Sequence, residues 1–210
     1  MRHAIQTTLV SLGPAVYFCW LIYQQVRADW PVLVEPGLDL ETALSLAAVL
    51  YLLVLLASYW RKPPVLAGRA DWRAVLVTAV AIDALGLSAG QPVTHETLVP
   101  VALALTLAGT LLALWAAVTL GQSFSLLPQA RTLVVAGPYR FVRHPMYLGG
   151  LLITLAELVA RMSPAVVGLN VVFVGAQLIR MRYEEEVLTA AFADYAAYRA
   201  RTPALFPGIA

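Results

Sequence analysis

The chain has 210 residues, of which 60% are hydrophobic and only 12% are charged. A soluble domain usually carries about 25% charged residues, so this composition disfavours a soluble enzyme, a disordered chain and a nucleic-acid binder. The formal net charge of +2 is too small to indicate a polyanionic partner. The composition therefore predicts an integral membrane protein.

Six apolar segments follow one another along the chain and are candidates for transmembrane helices, which need about 20 apolar residues. The first lacks a small-residue cleavage site and is predicted to be a retained span. The last two are shorter and are separated only by residues 161–164, which predicts a tight helical hairpin. The six predicted spans are Ile5–Val26, Thr42–Trp60, Ala74–Ala89, Leu98–Leu120, Met146–Ala160 and Ala165–Ile179.

The predicted fold is an all-α integral membrane protein. We expect a bundle of five to six transmembrane helices, the last two forming the hairpin, followed by a cytoplasmic C-terminal helix. Residues 1–120 are predicted to hold four N-terminal transmembrane helices. Residues 121–210 are predicted to hold a loop, the helical hairpin and a C-terminal tail, and they contain nearly all the unusual polar residues. This difference between the halves argues against an inverted-repeat transporter.

The basic residues predict the orientation. With six crossings and both termini in the cytoplasm, twelve of the fourteen Lys and Arg residues fall on the cytoplasmic face, and Arg27 and Arg161 fall on the other. The loop at 121–144 and the C-terminal tail are therefore predicted to face the cytoplasm. The twelve are Arg2, Arg61, Lys62, Arg69, Arg73, Arg131, Arg140, Arg143, Arg180, Arg182, Arg199 and Arg201.

A first polar cluster occupies residues 137–149. Gly137 and Pro138 predict a turn, and Pro145 favours the first turn of a helix directly after Arg143 and His144. The amino end of that helix suits an anionic ligand group. The alternative interpretation is an ordinary belt of Arg and Tyr anchors at the membrane interface.

A second polar cluster, residues 180–186, follows the second arm of the hairpin. Arg180 and Glu184 are four residues apart and share one helix face. On its own the cluster is also compatible with a solvated charge run at a helix end. Because the two apolar arms are of equal length, the hairpin brings both clusters to the same membrane face, and this convergence is the main argument for a site.

Other signals are few. Asp83 and Glu157 lie inside predicted spans, where carboxylates are costly and are functional candidates unless they pair or are protonated. Glu157 lies about three turns from Pro145 and is placed outside the predicted site. A single cysteine, Cys19, and three scattered histidines predict neither a disulfide nor a metal site.

At the two clusters the sequence resembles the isoprenylcysteine carboxyl methyltransferase family, part of a wider group of membrane methyltransferases that includes phospholipid N-methyltransferases. The resemblance runs from about Gly121 to Pro207, roughly two fifths of the chain. It is carried by Leu120–Ser125, Thr132–Val134, Gly137–Arg140, Arg143–Tyr147, Glu184–Glu185, the pair Tyr195 and Tyr198, and the pair Pro203 and Pro207.

The resemblance implies that S-adenosylmethionine is the cofactor, bound without a Rossmann domain. It implies a carboxylate substrate beside Arg180, and either Arg180 or Arg143 is a candidate to hold that carboxylate without acting as a base. Gln129 or Gln122 is a further candidate for a cofactor contact. The implied cofactor-binding residues are Arg131, Thr132, Leu133, Val134, Tyr139, His144, Pro145, Tyr147 and Glu184.

The leading hypothesis is a membrane methyltransferase that methylates the carboxyl group of a lipophilic, prenylcysteine-like small molecule. The substrate is expected to enter from the membrane lipid, between the helices. A phospholipid amine or a small thiol remains open as the methyl acceptor. Two further alternatives are an NADPH-dependent membrane sterol or enone reductase, which has a similar Arg-His-Pro-x-Tyr pattern, and a non-catalytic membrane scaffold or small transporter.

Overall fold

The computed structural model describes residues 2–34, 40–59, 63–69, 71–89 and 91–206. Trp60, Arg61, Lys62, Pro207 and both terminal residues, which entered the predictions above, lie outside these ranges. The α-helices are α1 (Arg2–Ala28), α2 (Trp30–Val34), α3 (Leu40–Ala57), α4 (Trp72–Ala89), α5 (Val99–Leu120), α6 (Pro145–Arg161), α7 (Pro164–Ala191) and α8 (Tyr195–Arg201).

Two helical segments of the described chain are long and apolar enough to cross a membrane. They are Glu96–Ser123 and Pro164–Ala191, and Leu44–Ala57 is a shorter apolar helix. Only 33% and 28% of the two apolar windows are buried inside the protein, so most of their surface faces outward. An outward-facing apolar surface of this size suits lipid better than water, which indicates a membrane protein. The remaining predicted crossings stay predictions.

The helix α5 has its large apolar side chains outside and its small residues inside. Small residues allow helix backbones to approach closely, as is typical of packing inside membranes. The closest approach is between Gly109 of α5 and Gly149 of α6, where a Cβ on either glycine would lie 2.6 Å from the carbonyl oxygen of the other. The exposed residues of α5 include Val101, Leu111, Trp115 and Val118, and the buried ones are Ala102, Gly109, Thr110, Ala113, Ala116 and Ala117.

The last two predicted spans, α6 and α7, are joined by two residues, Met162 and Ser163. The Ser163 hydroxyl caps α7 by accepting a hydrogen bond from the backbone N–H of Val166 at 3.2 Å. However, α6 packs mainly against α5, and α7 packs mainly against α4. The two arms therefore find their principal partners in the N-terminal helices rather than in each other.

The arms also differ in length, since α6 has 17 residues and α7 has 28. The sequence predicts arms of equal length because it counts only the apolar part of α7, which ends at Ile179. The helix continues through the charged residues 180–186 because none of them breaks a helix. This polar extension of α7 reaches the beginning of α6.

A short antiparallel ribbon departs from the all-α expectation. Strand β1 (Ala67–Gly68) pairs with β2 (Gln129–Ala130), with Ala67 opposite Ala130. One further hydrogen bond extends the ribbon, in which the N–H of Leu66 donates to Ala130 O at 2.8 Å. The ribbon joins the connection between α3 and α4 to the loop that precedes α6.

The glycine contact between α5 and α6 predicts a specific loss of stability. In the Gly109→Ala variant the new methyl group meets a backbone carbonyl that cannot move aside, and we expect the free energy of unfolding to fall by about 1–3 kcal/mol. Gly168→Ala is the matched control, because a Cβ at Gly168 has no heavy atom within 4 Å. The control should be neutral or slightly stabilising, owing to the better helix propensity of alanine. Thermal unfolding in detergent measures both, and equal shifts would contradict the close approach.

Candidate active site

A glycine turn shapes the loop between α5 and α6. Gly137 has a φ of +55°, in the left-handed region, and a Cβ there would lie 2.8 Å from the Thr119 hydroxyl oxygen. Glycine fits both the backbone conformation and the available space. The turn continues as a short 3₁₀ helix, Gly137–Arg140, which buries Tyr139. The turn predicted from the sequence thus positions the Tyr139 side chain.

The C-terminal tail holds the beginning of α6. The backbone N–H of Arg143 donates to Pro203 O at 2.8 Å, and that of His144 donates to Ala204 O at 3.0 Å. His144 is the N-cap residue, and Pro145 is the first residue of the helix. Proline suits this position because its missing N–H would have no partner within the helix.

Two carboxylates of α7 meet the residues at the beginning of α6. Glu185 Oε1 accepts a hydrogen bond from Arg143 Nε at 2.9 Å and lies 3.1 Å from His144 Nε2. The hydroxyl of Tyr147 donates to Glu184 Oε1. The structure therefore brings together the two polar clusters that lie about 40 residues apart in the sequence.

Glu184 keeps binding capacity for a ligand. His144 Nδ1 lies 3.9 Å from Glu184 Oε2, which is too far for a hydrogen bond. Within the described ranges, the Tyr147 hydroxyl is the one group that hydrogen-bonds to this carboxylate. The side chain of Glu184 is 27% exposed and lines a cavity, so its second oxygen is accessible.

Arg143 is engaged on all sides. Besides its two contacts with Glu185, its Nη1 donates to Arg199 O at 3.1 Å and to Thr202 O. The Nε of Arg199 lies 3.6 Å from Glu185 Oε2. The guanidinium of Arg143 thus ties α6, α7 and α8 together.

Arg180 is placed differently. Its Nη1 donates to Gln177 Oε1 at 3.2 Å, its Nη2 donates to Leu126 O at 3.2 Å, and its guanidinium carbon lies 5.5 Å from the centre of the Tyr147 ring. The Nε is buried and has no hydrogen-bond partner among the described residues. Buried donors of native proteins are rarely left without a partner, so this N–H is a candidate donor to a ligand in the cavity that Arg180 lines.

A cavity of about 760 Å³ lies beside these residues. Its polar end is formed by the loop before α6, the amino end of α6 and the polar extension of α7. Its apolar branch runs between α1, α3, α4 and α5, and its lining on α5 extends from Leu103 to Leu120, about 25 Å along the helix. The size is in the range of small-molecule sites.

Nine of the eleven predicted site residues line this cavity, and Arg131 and Pro145 do not. Arg131 turns away and donates to Pro63 O and to Gln129 Oε1. Of the two glutamine candidates, Gln129 lines the cavity and Gln122 is exposed elsewhere. The nine are Thr132, Leu133, Val134, Tyr139, Arg143, His144, Tyr147, Arg180 and Glu184.

Asp83 and Glu157, the two acids of predicted spans, have different surroundings. Glu157 is buried, lines the far end of the cavity, and pairs with Arg161 Nη1 at 3.0 Å. It lies thirteen residues along the chain from His144, about 20 Å in a helix, which separates it from the polar end. Asp83 is exposed on α4.

Burial keeps the tyrosines near the polar end protonated. It raises the pKa of Tyr139 well above the ordinary value, and the charge of Glu184 raises it further. Burial also raises the pKa of Tyr198 to about 12, although Arg143 and Arg201 act in the opposite direction. Both hydroxyls are therefore donors at neutral pH, and that of Tyr198 donates to Tyr139 O at 2.7 Å.

Sequence reasoning assigned no role to several residues that the structure places here. Glu185 belongs to the Glu184–Glu185 pair that carries the resemblance but has no role there, and the sequence does not tell which acid of the run faces Arg143. Tyr51 and Gln177 line the cavity from spans whose sequence carries no motif. Tyr195 forms a sequence pattern with Tyr198 for which the resemblance implies no role.

Comparison with known proteins bears on the same region. Residues 98–195 match the family model for phospholipid methyltransferases. The match covers slightly less than half of the chain and points to a membrane methyltransferase. The family also includes the isoprenylcysteine carboxyl methyltransferases, so the predicted resemblance is supported at the level of the wider family.

A curated relative is the cobalt-zinc-cadmium resistance protein CzcN of Cupriavidus metallidurans. It is 40% identical over 77 residues, and the matched stretch spans 36% of this chain and 36% of that protein. Within the part of the present chain that the structure describes, no group of three or more His, Cys, Asp or Glu side chains is placed to hold a metal ion.

The contacts of Glu185 predict that it contributes strongly to stability. In the Glu185→Gln variant, Arg143 loses its counter-charge in a mostly buried position, and we expect the free energy of unfolding to fall by about 2 kcal/mol or more. Glu186→Gln is the matched control, since this side chain is 63% exposed and pairs with Arg69 at the surface. Chemical unfolding in detergent should show a clear loss for the first variant and little change for the second. Equal effects would mean that the pairing of Glu185 does not stabilise the fold.

Proposed function

We propose that this protein is a membrane-embedded, S-adenosylmethionine-dependent methyltransferase that methylates the carboxyl group of a prenylcysteine-like lipophilic substrate. The observation that carries the proposal is the cavity itself. One continuous space joins a polar end, lined by Glu184, Tyr139 and Arg180, to a long apolar branch. A polar cofactor and an apolar substrate tail would thus meet at Arg180.

The residues at the polar end fit the proposed cofactor. S-adenosylmethionine carries an amino group, a carboxylate, ribose hydroxyls and a sulfonium. Glu184 offers an acceptor for hydroxyl or amine donors, and the segment Thr132–Val134 offers backbone groups along the wall. The hydroxyl of Tyr139, which lines the same end of the cavity, supplies a donor. When bound, the cofactor supplies an electrophilic methyl group.

The chain itself would contribute position rather than proton transfer. A carboxylate nucleophile is already ionised at neutral pH and needs no base. Arg180 would hold it through the N–H that lacks a partner, while its other nitrogens are fixed by Gln177 and Leu126. Fixed groups of this kind orient the reactants and lower the entropic part of the barrier. The contacts favour Arg180 over Arg143, whose role we propose is to position Glu185.

The apolar branch would receive the substrate tail. It is lined mainly by small and aliphatic side chains such as Ala48, Leu52 and Ala113. Burying an alkyl chain there is favourable by about 25 cal/mol for each Å² removed from water. The substrate would enter this branch from the lipid bilayer. The polar end of the cavity and both chain termini would face the cytoplasm, as the distribution of basic residues predicts.

A phospholipid amine is the second candidate acceptor. The description of the matching family favours it, since that family is named for phospholipid methylation. The apolar branch suits an acyl chain as well as a prenyl chain. Arg180 favours an anionic acceptor over an amine, because the amine nitrogen becomes positively charged as it accepts the methyl group and a neighbouring cation disfavours that charge.

The test is transfer of radiolabelled methyl from S-adenosylmethionine to prenylcysteine analogues and to phosphatidylethanolamine by the purified protein. We expect labelling of the carboxylate substrate. Arg180→Ala should reduce kcat/KM by about 100-fold or more, and Arg180→Lys should restore it only in part, because lysine keeps the charge but not the fork of donors. Cofactor binding, measured by calorimetry, should persist in both variants.

Different outcomes reject different parts of this proposal. Absence of cofactor binding in a folded sample would reject methyl transfer altogether. Labelling of the phospholipid alone would reject the carboxylate substrate and keep the methyltransferase. Full activity in Arg180→Ala would remove Arg180 from the mechanism.

The apolar branch can be tested separately. In the Ala48→Phe variant a ring enters the branch, and we expect the KM for a long-chain substrate to rise by about tenfold or more while the Kd of the cofactor stays unchanged. Leu46→Phe is the matched control, because Leu46 is 55% exposed on the same helix and points away from the cavity. If both variants behave alike in steady-state kinetics, the substrate tail does not occupy this branch.

A further inference from the structure

We propose that the hydroxyl of Tyr195 is a further binding group of this cavity and donates a hydrogen bond to the carboxylate of the bound cofactor. The inference rests on the proposed function, because it takes S-adenosylmethionine to be the ligand. It concerns a residue that neither the resemblance nor the family match assigns a role.

The first observation is a buried hydroxyl without a partner. Tyr195 is 1% exposed, and its hydroxyl has no hydrogen-bond partner among the described residues. Leaving a buried hydroxyl unpaired costs about 1–3 kcal/mol, and native proteins rarely accept that cost. The side chain lines the cavity beside Val187 and Leu188. A ligand in the polar end would supply the missing acceptor.

The second observation is the contrast with Tyr198, three residues later on α8. The two rings lie close together, with centroids 6.0 Å apart. The hydroxyl of Tyr198 is used inside the protein, since it donates to Tyr139 O at 2.7 Å. The two tyrosines of one sequence pattern therefore differ: one stabilises the loop, and the other keeps its donor free.

The charges around Tyr195 indicate which acceptor it would meet. Two cations, Arg143 and Arg199, and one carboxylate, Glu185, act on its hydroxyl, and Glu185 has the largest effect of the three. Both arginines contact Glu185. The carboxylate is the anionic group of the cofactor, and it would add a second anion to these two cations. Burial raises the pKa of Tyr195 well above its ordinary value, so the hydroxyl stays protonated and can donate.

The experiment compares two probes by calorimetry on the purified full chain in detergent. S-adenosylhomocysteine carries the amino-acid carboxylate, and 5′-methylthioadenosine lacks the whole amino-acid part. We expect Tyr195→Phe to weaken S-adenosylhomocysteine about tenfold or more, as for a lost hydrogen bond to a charged group, and to leave methylthioadenosine within about twofold. Tyr198→Phe is the matched control, which should lower the melting temperature and affect both probes by the same factor.

The possible results separate the two levels of the proposal. If the wild-type chain binds neither probe, the proposed function fails. If wild-type binding is normal and Tyr195→Phe binds both probes as tightly, the Tyr195 contact is wrong. Equal weakening of both probes by Tyr195→Phe would place its contact on the nucleoside and overturn the carboxylate assignment.

Discussion

The mostly buried carboxylate of Glu185 makes the contacts on which the candidate site depends. It joins Arg143 and His144, at the beginning of α6, to the polar extension of α7, and Arg199 of α8 lies beside it. Charges in such a place are tolerated only when they are paired. Since neighbouring residues on a helix point in directions about 100° apart, holding Glu185 against Arg143 turns Glu184 toward the cavity. Glu185 therefore holds the three helices together, and Glu184 keeps an oxygen that a ligand can use.

The packing of the helices explains how a cavity can exist beside this network. In water, a chain gathers its large apolar side chains in the core, but here many face outward, where lipid can cover them. Small residues such as Gly109 and Gly149 bring α5 and α6 into close contact. The arms α6 and α7 pack on different N-terminal helices. The apolar branch of the cavity is lined by α4 and α5, one helix from each of these pairs, together with α1 and α3.

Much of the local structure could be predicted from the sequence because it follows from short-range rules. Pro145 starts α6, Gly137 makes the turn, and the apolar runs match helices. The convergence of the two clusters was also predicted, and in the structure the polar extension of α7 achieves it by reaching the beginning of α6. The sequence did not distinguish Arg143 from Arg180. Both are cations near a predicted membrane face. In the structure, all the guanidinium nitrogens of Arg143 have partners, Thr202 among them, whereas Arg180 contacts Leu126 but keeps an Nε without a partner.

The sequence by itself determined the class of the protein, the positions of the apolar helices and the two polar clusters, because composition, periodicity and proline or glycine placement act over a few residues. The tertiary structure alone decided which polar side chains form hydrogen bonds within the protein and which keep a donor or acceptor for a ligand. Glu185 and Tyr198 are bonded internally, whereas Glu184 and Tyr195 keep capacity for a ligand. These pairs share residue type and neighbourhood in the sequence. The two members of each pair differ because each helix is packed with a particular face toward its neighbours. That orientation depends on contacts between residues far apart in the chain.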